Sequence, residues 1–592
     1  MPFSLAPFHA LTRPLGGLLA ALVLMLAAPL HAQSAHPVEI VITGVSGDLR
    51  EALRGSLTLQ RELGHPLLGD LRIKRLHRRA TDELRAAMRP FGYYQAEVES
   101  ALSQDADGTW RAVYRISPGE PVRVARVDLR IEGAGAEDPR LVQWQREFPL
   151  APGDILLHRI YDGARDQLLQ VARDRGFLEG ELITHEVRVR VAEASADIVL
   201  HFRTGPRYRF GKVSFSELPL RDNFLQRFPV FRAGDYYDAE KVFRLHRDLT
   251  DSDYFERVEV VPRVNAAEDR RVPVEVSLEM RKRDRYTMGL GYGTDTGPRL
   301  TLGMERRFAN ARGHRFGGDV LISEVRSSGM LSYRIPLNRP STDFLGFNGG
   351  REHEETDTFT RDTDIIGVSL THLLDSAWFR TVSLNFQEEH FEVGDQVERS
   401  SMLYPTLGFQ RVAADDRLFP QRGWRVIAQA RAASEDLAST TTMVQGRLAA
   451  KAIRRMLGGR TIGRFDVAAT YVTDFAQLPV SMRFFAGGDQ SVRGFAYQEL
   501  GPENAAGEVT GGRHLLVWSV EHDRYFSERW GAAVFTDLGN AFDSFSDYEL
   551  HQGVGAGLRW RLPFGLIRLD LASAVSEDGE PWRLHLTLGP DL

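Results

Sequence analysis

The residues best suited to specific chemistry are one arginine and two carboxylates far apart in the chain. Arg493 lies in Asp489-Gln490-Ser491-Val492-Arg493-Gly494-Phe495, just after Gly487 and Gly488. An arginine on a glycine-bounded loop is ordinarily a solvated surface charge. Glu521 and Asp537 argue otherwise, because both fall in segments that alternate like membrane strands. Leu516, Trp518 and Val520 alternate with Val517, Ser519 and Glu521, and Ala533, Phe535, Asp537 and Gly539 share the face opposite Val534, Thr536 and Leu538. If the bulky apolar set meets lipid, both carboxylates point into a lumen, where ionisable groups find partners. The chemistry is recognition. A guanidinium is planar and permanently charged, and it can grip a carboxylate with two parallel N–H bonds. The loop is therefore predicted to fold back into a β-barrel and to pair Arg493 there.

The elements that must position these groups begin after Arg281-Lys282-Arg283-Asp284. Helical spacing ends there and alternating segments follow one another. Val382, Leu384 and Phe386 alternate with Ser383, Asn385 and Gln387. The same holds for Leu558, Trp560 and Leu562 with Arg559 and Arg561, for Ile567, Leu569 and Leu571 with Arg568 and Asp570, and for Leu584, Leu586 and Leu588 with Arg583, His585 and Thr587. Period two with charge on the inner set is the pattern of a transmembrane antiparallel barrel, whereas a soluble sandwich would turn its apolar face inward. At ~9–11 residues per strand plus connections, residues 283–592 hold about 14 to 18 strands. Trp378, Tyr404, Phe419 and Trp424, at segment ends, suit interfacial girdles. Gly289, Gly291 and Gly293, like Gly553, Gly555 and Gly557, lack the third-glycine spacing and following helix of a dinucleotide loop. In strands, glycines weaken pairing or admit close backbone approach. The first cluster falls in the first barrel strand, which closes against the last, so the expected seam is Gly289, Gly291 and Gly293 against Leu584, Leu586 and Leu588.

Upstream, an order of β-α-α-β-β occurs three times, over residues 36–119, 120–205 and 206–282. Strands are expected near 38–45, 93–100 and 110–116 in the first copy, with helices over 50–62 and 73–88. The third copy has helices near 220–228 and 239–252. Each copy passes from its second helix to the next strand through a similar step: Gly92-Tyr93-Tyr94, Gly176-Phe177-Leu178 and Asp253-Tyr254-Phe255. A repeat of about 80 residues is too long for a solenoid unit and suits a string of small α+β domains.

Composition sets the outer limits. The chain has 592 residues, a net charge of -6 and no cysteine. No nucleic-acid footprint, disulfide scaffold or thiolate chemistry is expected. Arg13, the apolar run 15–28 and Leu30-His31-Ala32 form an export signal over residues 1–32. A mean hydropathy of -0.28 is compatible with a barrel, half of whose strand residues face water. His-Glu-x-x-His, Gly-x-Ser-x-Gly and phosphate-loop motifs are absent, so neither enzymatic activity nor a cofactor is expected. Arg351-Glu352-His353-Glu354-Glu355 is expected in an acidic surface loop.

Three modules, a barrel, Val492-Arg493-Gly494-Phe495, Asp416-Arg417-Leu418-Phe419-Pro420-Gln421-Arg422-Gly423 and Phe535-Thr536-Asp537-Leu538-Gly539 together resemble the outer-membrane assembly and two-partner-secretion superfamily. Its soluble modules are called POTRA domains. The module count, the length and the ending Leu588-Gly589-Pro590-Asp591-Leu592 are similar to TamA-type chains, the outer-membrane subunits of translocation and assembly modules. The final Leu592 departs from the superfamily's more usual Phe. The resemblance implies a sixteen-stranded barrel in the bacterial outer membrane, POTRA modules in the periplasm, and a sixth loop inside the lumen. There Arg493 would meet Asp537 and Glu521, beside Phe535 and Gly539. It also implies insertion or secretion of β-barrel clients such as autotransporters by strand templating at the seam, contact with outer-membrane lipids, and a TamB-type inner-membrane partner. The alternatives are a two-partner-secretion transporter, which would carry two modules and a plug helix, and a barrel channel for a dedicated substrate.

Overall fold

The computed structural model describes residues 37–416, 418–546, 548–563 and 565–589. The predicted export signal and Leu592 lie outside them. The described chain divides into two compact units. One comprises residues up to 209 together with 236–239, and the other comprises 210–235 and 240 onward.

The first unit holds two of the small sheets. In one, β1 (Val38–Thr43) runs parallel to β3 (Trp110–Ser117), and β2 (Glu97–Gln104) pairs with β3 on its other side. Helices α1 (Gly47–Ser56), α2 (Thr58–Arg61) and α3 (Asp70–Met88) complete it. Along α3, Ile73, Leu76, Ala80, Leu84 and Met88 are buried, as the i, i+4 spacing predicts. The single helix expected over 50–62 is two, because Leu57 is extended and buried between them. That break turns Thr58 so that its N–H and hydroxyl both donate to Glu83, each at 2.8 Å. The second sheet repeats the order, with β4 (Arg123–Glu132) parallel to β6 (Ser195–Arg203) and β5 (Glu181–Arg190) on the far side of β6. It carries α4 (Pro139–Arg146), capped by Asp138, and α5 (His158–Asp174).

The step residues Gly92 and Gly176 have φ of 89° and 88°. A Cβ on Gly92 would lie 2.9 Å from the Leu156 carbonyl oxygen, and one on Gly176 would lie 3.0 Å from the Tyr237 side chain. Both conformation and crowding therefore demand glycine there.

The second unit contains the third sheet, in the order β7 (Arg209–Phe215), β9 (Arg271–Met280), β8 (Phe255–Pro262), with α6 (Asp222–Leu225) and α7 (Ala239–Asp251). The helix expected over 220–228 is thus a single turn. The third copy of the step has Asp253 where the others have glycine, and it still adopts φ 60°. Its carboxylate accepts from Arg281 at 2.7 Å and from Arg307 at 2.9 Å, and Arg285 stands 3.5 Å away. The next residue, Tyr254, donates to the Gly313 carbonyl at 2.5 Å and lies under the Arg315 guanidinium.

Sixteen antiparallel strands close the barrel. They are β10 (Asp284–Gly293), β11 (Gly297–Arg306), β12 (Arg315–Ser323), β13 (Arg326–Pro336), β14 (Phe344–Glu355), β15 (Phe359–Leu373), β16 (Phe379–Val393), β17 (Gln396–Ala414), β18 (Gly423–Ala433), β19 (Met443–Met456), β20 (Gly459–Val472), β21 (His514–Tyr525), β22 (Trp530–Phe542), β23 (His551–Leu562), β24 (Gly565–Ala574) and β25 (Trp582–Gly589). Trp518, Val534, Val554, Leu558 and Leu571 point outward and are exposed, as the alternation requires.

Two expectations are corrected. Residues 351–355 are not a loop but the end of β14, where Glu352 and Glu354 bind Arg361 of β15. Charge on both faces of that segment hides its alternation. Tyr404 and Phe419 are not girdle residues. Tyr404 faces inward and donates to Gln387 at 3.0 Å. Phe419 is held between the guanidiniums of Arg460 and Arg561, each 4.0 Å from its ring centre.

Candidate functional site

The connection between β20 and β21, residues 473–513, turns into the barrel and carries Arg493. The Arg493 side chain is buried. Its Nε and Nη2 donate to the two oxygens of Asp537 at 2.7 and 2.9 Å, the two-pronged grip that guanidinium geometry permits. Its Nη1 donates to Glu521 at 2.8 Å and to Asp570 at 3.1 Å. The Arg493 backbone N–H also donates to Asp537, at 3.1 Å. Phe535 lies beneath the guanidinium, 3.4 Å from ring centre to Cζ, a favourable cation–π placement.

A second arginine shares the anions. Arg559 on β23 donates to Glu521 at 2.7 Å and also to Asp570. Arg464 on β20 approaches Asp537 at 3.4 Å, and the Ser519 hydroxyl donates to the same carboxylate. Three guanidiniums thus face three carboxylates, so the charge is balanced out of water. That balance is what makes the burial tolerable.

The glycine run of β23 forms the seat. A Cβ on Gly553 would fall 1.8 Å from the Arg493 carbonyl oxygen, and one on Gly555 would fall 2.4 Å from the Phe535 ring. These glycines are a groove for the loop. On either side of Arg493, Val492 and Phe495 pack with Leu515, Val517, Ala541 and Ala574. Gly494 has φ 104° and donates its N–H to His585 at 3.0 Å. The loop is also tied to the opposite wall, where the Ser481 N–H donates to Glu389 at 3.0 Å and Gln445 donates to the Met482 carbonyl at 2.8 Å.

Of the residues singled out from the sequence, Val492, Arg493, Gly494, Phe495, Glu521, Asp537 and Phe535 come together here. Gly539 lies on the same inner face but packs against Val517 and the Leu516 backbone. Arg559, Asp570, Arg464 and Ser519 were not assigned a role. The same alternation placed the Arg559, Asp570 and Ser519 side chains inward, but pairing with Arg493 depends on strand register.

The seam residues form a separate place. Gly289, Gly291 and Gly293 lie on β10, and Leu584, Leu586 and Leu588 lie on β25. β10 pairs with β11 over ten residues and β24 with β25 over eight, but β10 meets β25 in the single pair Gly293↔Thr587. Leu586 adds two bonds of 3.3 Å to Thr294. Among the described residues, Gly289, Gly291, Leu584 and Leu588 have no ladder partner across the seam.

A closed sixteen-stranded barrel, small β-α-β modules before it and an arginine-bearing loop inside it define a class of outer-membrane protein. Residues 310–591 match the Omp85 superfamily domain, and residues 39–118 match the POTRA domain TamA domain 1. The chain fits the Omp85 superfamily, with its barrel in the outer membrane and its POTRA modules in the periplasm. Within it, the match of the first module fits a TamA-type POTRA-plus-barrel arrangement.

The chain is 23% identical over 385 residues to outer membrane protein assembly factor BamA of Nitratidesulfovibrio vulgaris, covering 61% of this chain and 48% of that one. It is 20% identical over 419 residues to the BamA of Neorickettsia risticii, covering 65% and 55%. The chain therefore spans about half the length of these curated relatives. The crystal structure of BamA from Haemophilus ducreyi lacking POTRA domains 1-3 shares the fold, with a TM-score of 0.54 and 15% identity over 94% of this chain and 99% of that one.

Proposed function

We propose that this chain is a non-enzymatic assembly factor that inserts or secretes β-barrel clients, autotransporters among them, by pairing client strands at the β10–β25 seam. One observation carries the reading: among the described residues, the seam is joined by one ladder pair where neighbouring junctions have eight or ten. Backbone left unpaired in hydrocarbon is costly, so a free edge at membrane depth is a template for another strand. The POTRA sheets leave β2, β5 and β8 as edges, suited to holding an extended client by main-chain pairing. With no nucleotide loop in the sequence, the driving force is client folding or a TamB-type inner-membrane partner docked on the modules.

The test uses the absence of native cysteine. Tyr292→Cys and Leu588→Cys occupy the next step of the Gly293↔Thr587 register and can be oxidised in the folded barrel. A locked seam is expected to stop client insertion into vesicles, and reductant to restore it. Undiminished insertion by the oxidised protein would overturn the reading.

A further inference from the structure

The loop that carries Arg493 also reaches the seam, through other residues. Asp489 Oδ1 accepts from Nδ1 of His585, on β25, at 2.8 Å. The same oxygen accepts from the hydroxyl of Thr294, the residue after β10, at 3.3 Å. The Asp489 backbone N–H donates to Asp295 at 2.7 Å. His585 is buried and accepts the Gly494 N–H on Nε2, so its ring proton sits on Nδ1, aimed at Asp489. This tautomer also speaks against a metal ion among Asp295, Asp489 and His585, although their ligand atoms lie within 4.8 Å of one another. A metal on Nδ1 would put a proton on Nε2, facing the Gly494 donor.

Thr294 then passes the contact to the last strand. Its hydroxyl has one proton, which goes to Asp489, and its free lone pairs accept the Leu586 N–H at 3.3 Å. The Thr294 N–H donates to the Leu586 carbonyl at the same distance. Among the described residues, beside the Gly293↔Thr587 pair and the Thr294–Leu586 backbone bond, side-chain contacts from both sides of the seam meet at this one loop carboxylate, with Asp295 also 3.9 Å from His585.

We propose that Asp489 is a positioning residue that clasps the seam: a single carboxylate holds the end of β10 through Thr294 and holds β25 through His585. Release of Asp489 loosens both strands at once, leaving the Gly293↔Thr587 pair and the two Thr294–Leu586 bonds to hold the seam. The function of the clasp rests on the reading of the seam as the client entry point, but its existence does not.

Hydrogen exchange on the client-free protein in lipid tests the clasp. Asp489→Ala removes two hydrogen bonds, and exchange in the segments 284–296 and 582–589 is expected to rise roughly tenfold. Asp489→Asn keeps an acceptor at the same place and is expected to stay near wild type. Thr294→Val removes only the hydroxyl relay and should speed exchange in 582–589 while 490–497 remains protected. It decides the matter if Asp489→Ala does not fold. Unchanged seam exchange in the variants that fold would overturn the clasp. So would faster seam exchange in Asp489→Ala accompanied by loss of protection in 490–497 with Thr294→Val silent, since the loop would then act only as a plug. If the clasp variants behave as expected but a locked seam still inserts clients, the clasp stands and the assembly reading falls.

Discussion

Replacing Arg493 with alanine removes the centre of a balanced cluster. Four side-chain hydrogen bonds disappear, two to Asp537 and one each to Glu521 and Asp570. Two guanidiniums, Arg464 and Arg559, are left against three buried carboxylates. Asp537 suffers most, since its nearest remaining cation, Arg464, is 3.4 Å away. Breaking a buried pair from one side costs about 3–5 kcal/mol. Arg493→Lys keeps the charge but loses the two-pronged grip, so its expected cost is smaller, about 1.5–3 kcal/mol. Arg493→Ala with Asp537→Ala restores the balance and should be milder than Arg493→Ala alone. The assay is urea unfolding of the barrel in lipid, followed by tryptophan fluorescence, with proteolysis of the 473–513 loop alongside. The reasoning fails if Arg493→Ala unfolds within ~0.5 kcal/mol of wild type, the range of an ordinary surface change, with its loop still protected.

Other perturbations separate shape from charge. Gly553→Ala would place a Cβ 1.8 Å from the Arg493 carbonyl and should expose the loop to protease. Gly463→Ala, where a Cβ meets nothing within 4 Å, should not. Asp253→Gly relieves a left-handed non-glycine residue but cuts its ties to Arg281 and Arg307. The lost, partly exposed pairs should outweigh the relief, speeding hydrogen exchange in 307–313; unchanged exchange would count against it. Burial and the neighbouring Asp489 carboxylate push Asp295 up to about 6 from 3.8, with His585 acting the other way. A raised carboxyl pKa favours the protonated folded form, so this contribution is complete below about 4 and is lost as pH rises through about 6. Exchange in 284–296, corrected for intrinsic rates, should therefore be slower at pH 5 than at pH 7, and Asp295→Asn should flatten that difference. An unaltered pH dependence in Asp295→Asn would refute the assignment.

The lumenal direction of Glu521 and Asp537 was legible because side-chain alternation in a strand needs no knowledge of its neighbours. Their common partner was legible only through the resemblance carried by the loop motif. Asp570 and Arg559 were visible as inward charges, but which inward charges meet depends on register, set between strands far apart in sequence. Leu57 could not be read as a helix break, since an apolar residue at helical spacing looks the same whether its backbone is helical or extended. Phe419 shows the same limit: an aromatic residue beside a strand end reads as a membrane anchor until Arg460 and Arg561 arrive from other strands. Asp489 and His585, 96 residues apart, carried no local sign of their meeting.

Asp253 has a mechanical consequence. At the equivalent step Gly92 and Gly176 have no side chain to grip with, so the side-chain ties at those joints come from neighbours, Tyr94 to His158 and Arg175 to Asp138 and Asp238. Asp253 takes hold of Arg281, Arg285 and Arg307, which lie just before, within and beyond the first two barrel strands. A pull on the third module is thus delivered to the root of β10 through Asp253, as well as to the rim at Gly313, Ala311 and Pro336. β10 is also the strand with the least hold on its far neighbour. The third module and β10 therefore make a lever, with part of its load applied at the weakest joint of the barrel.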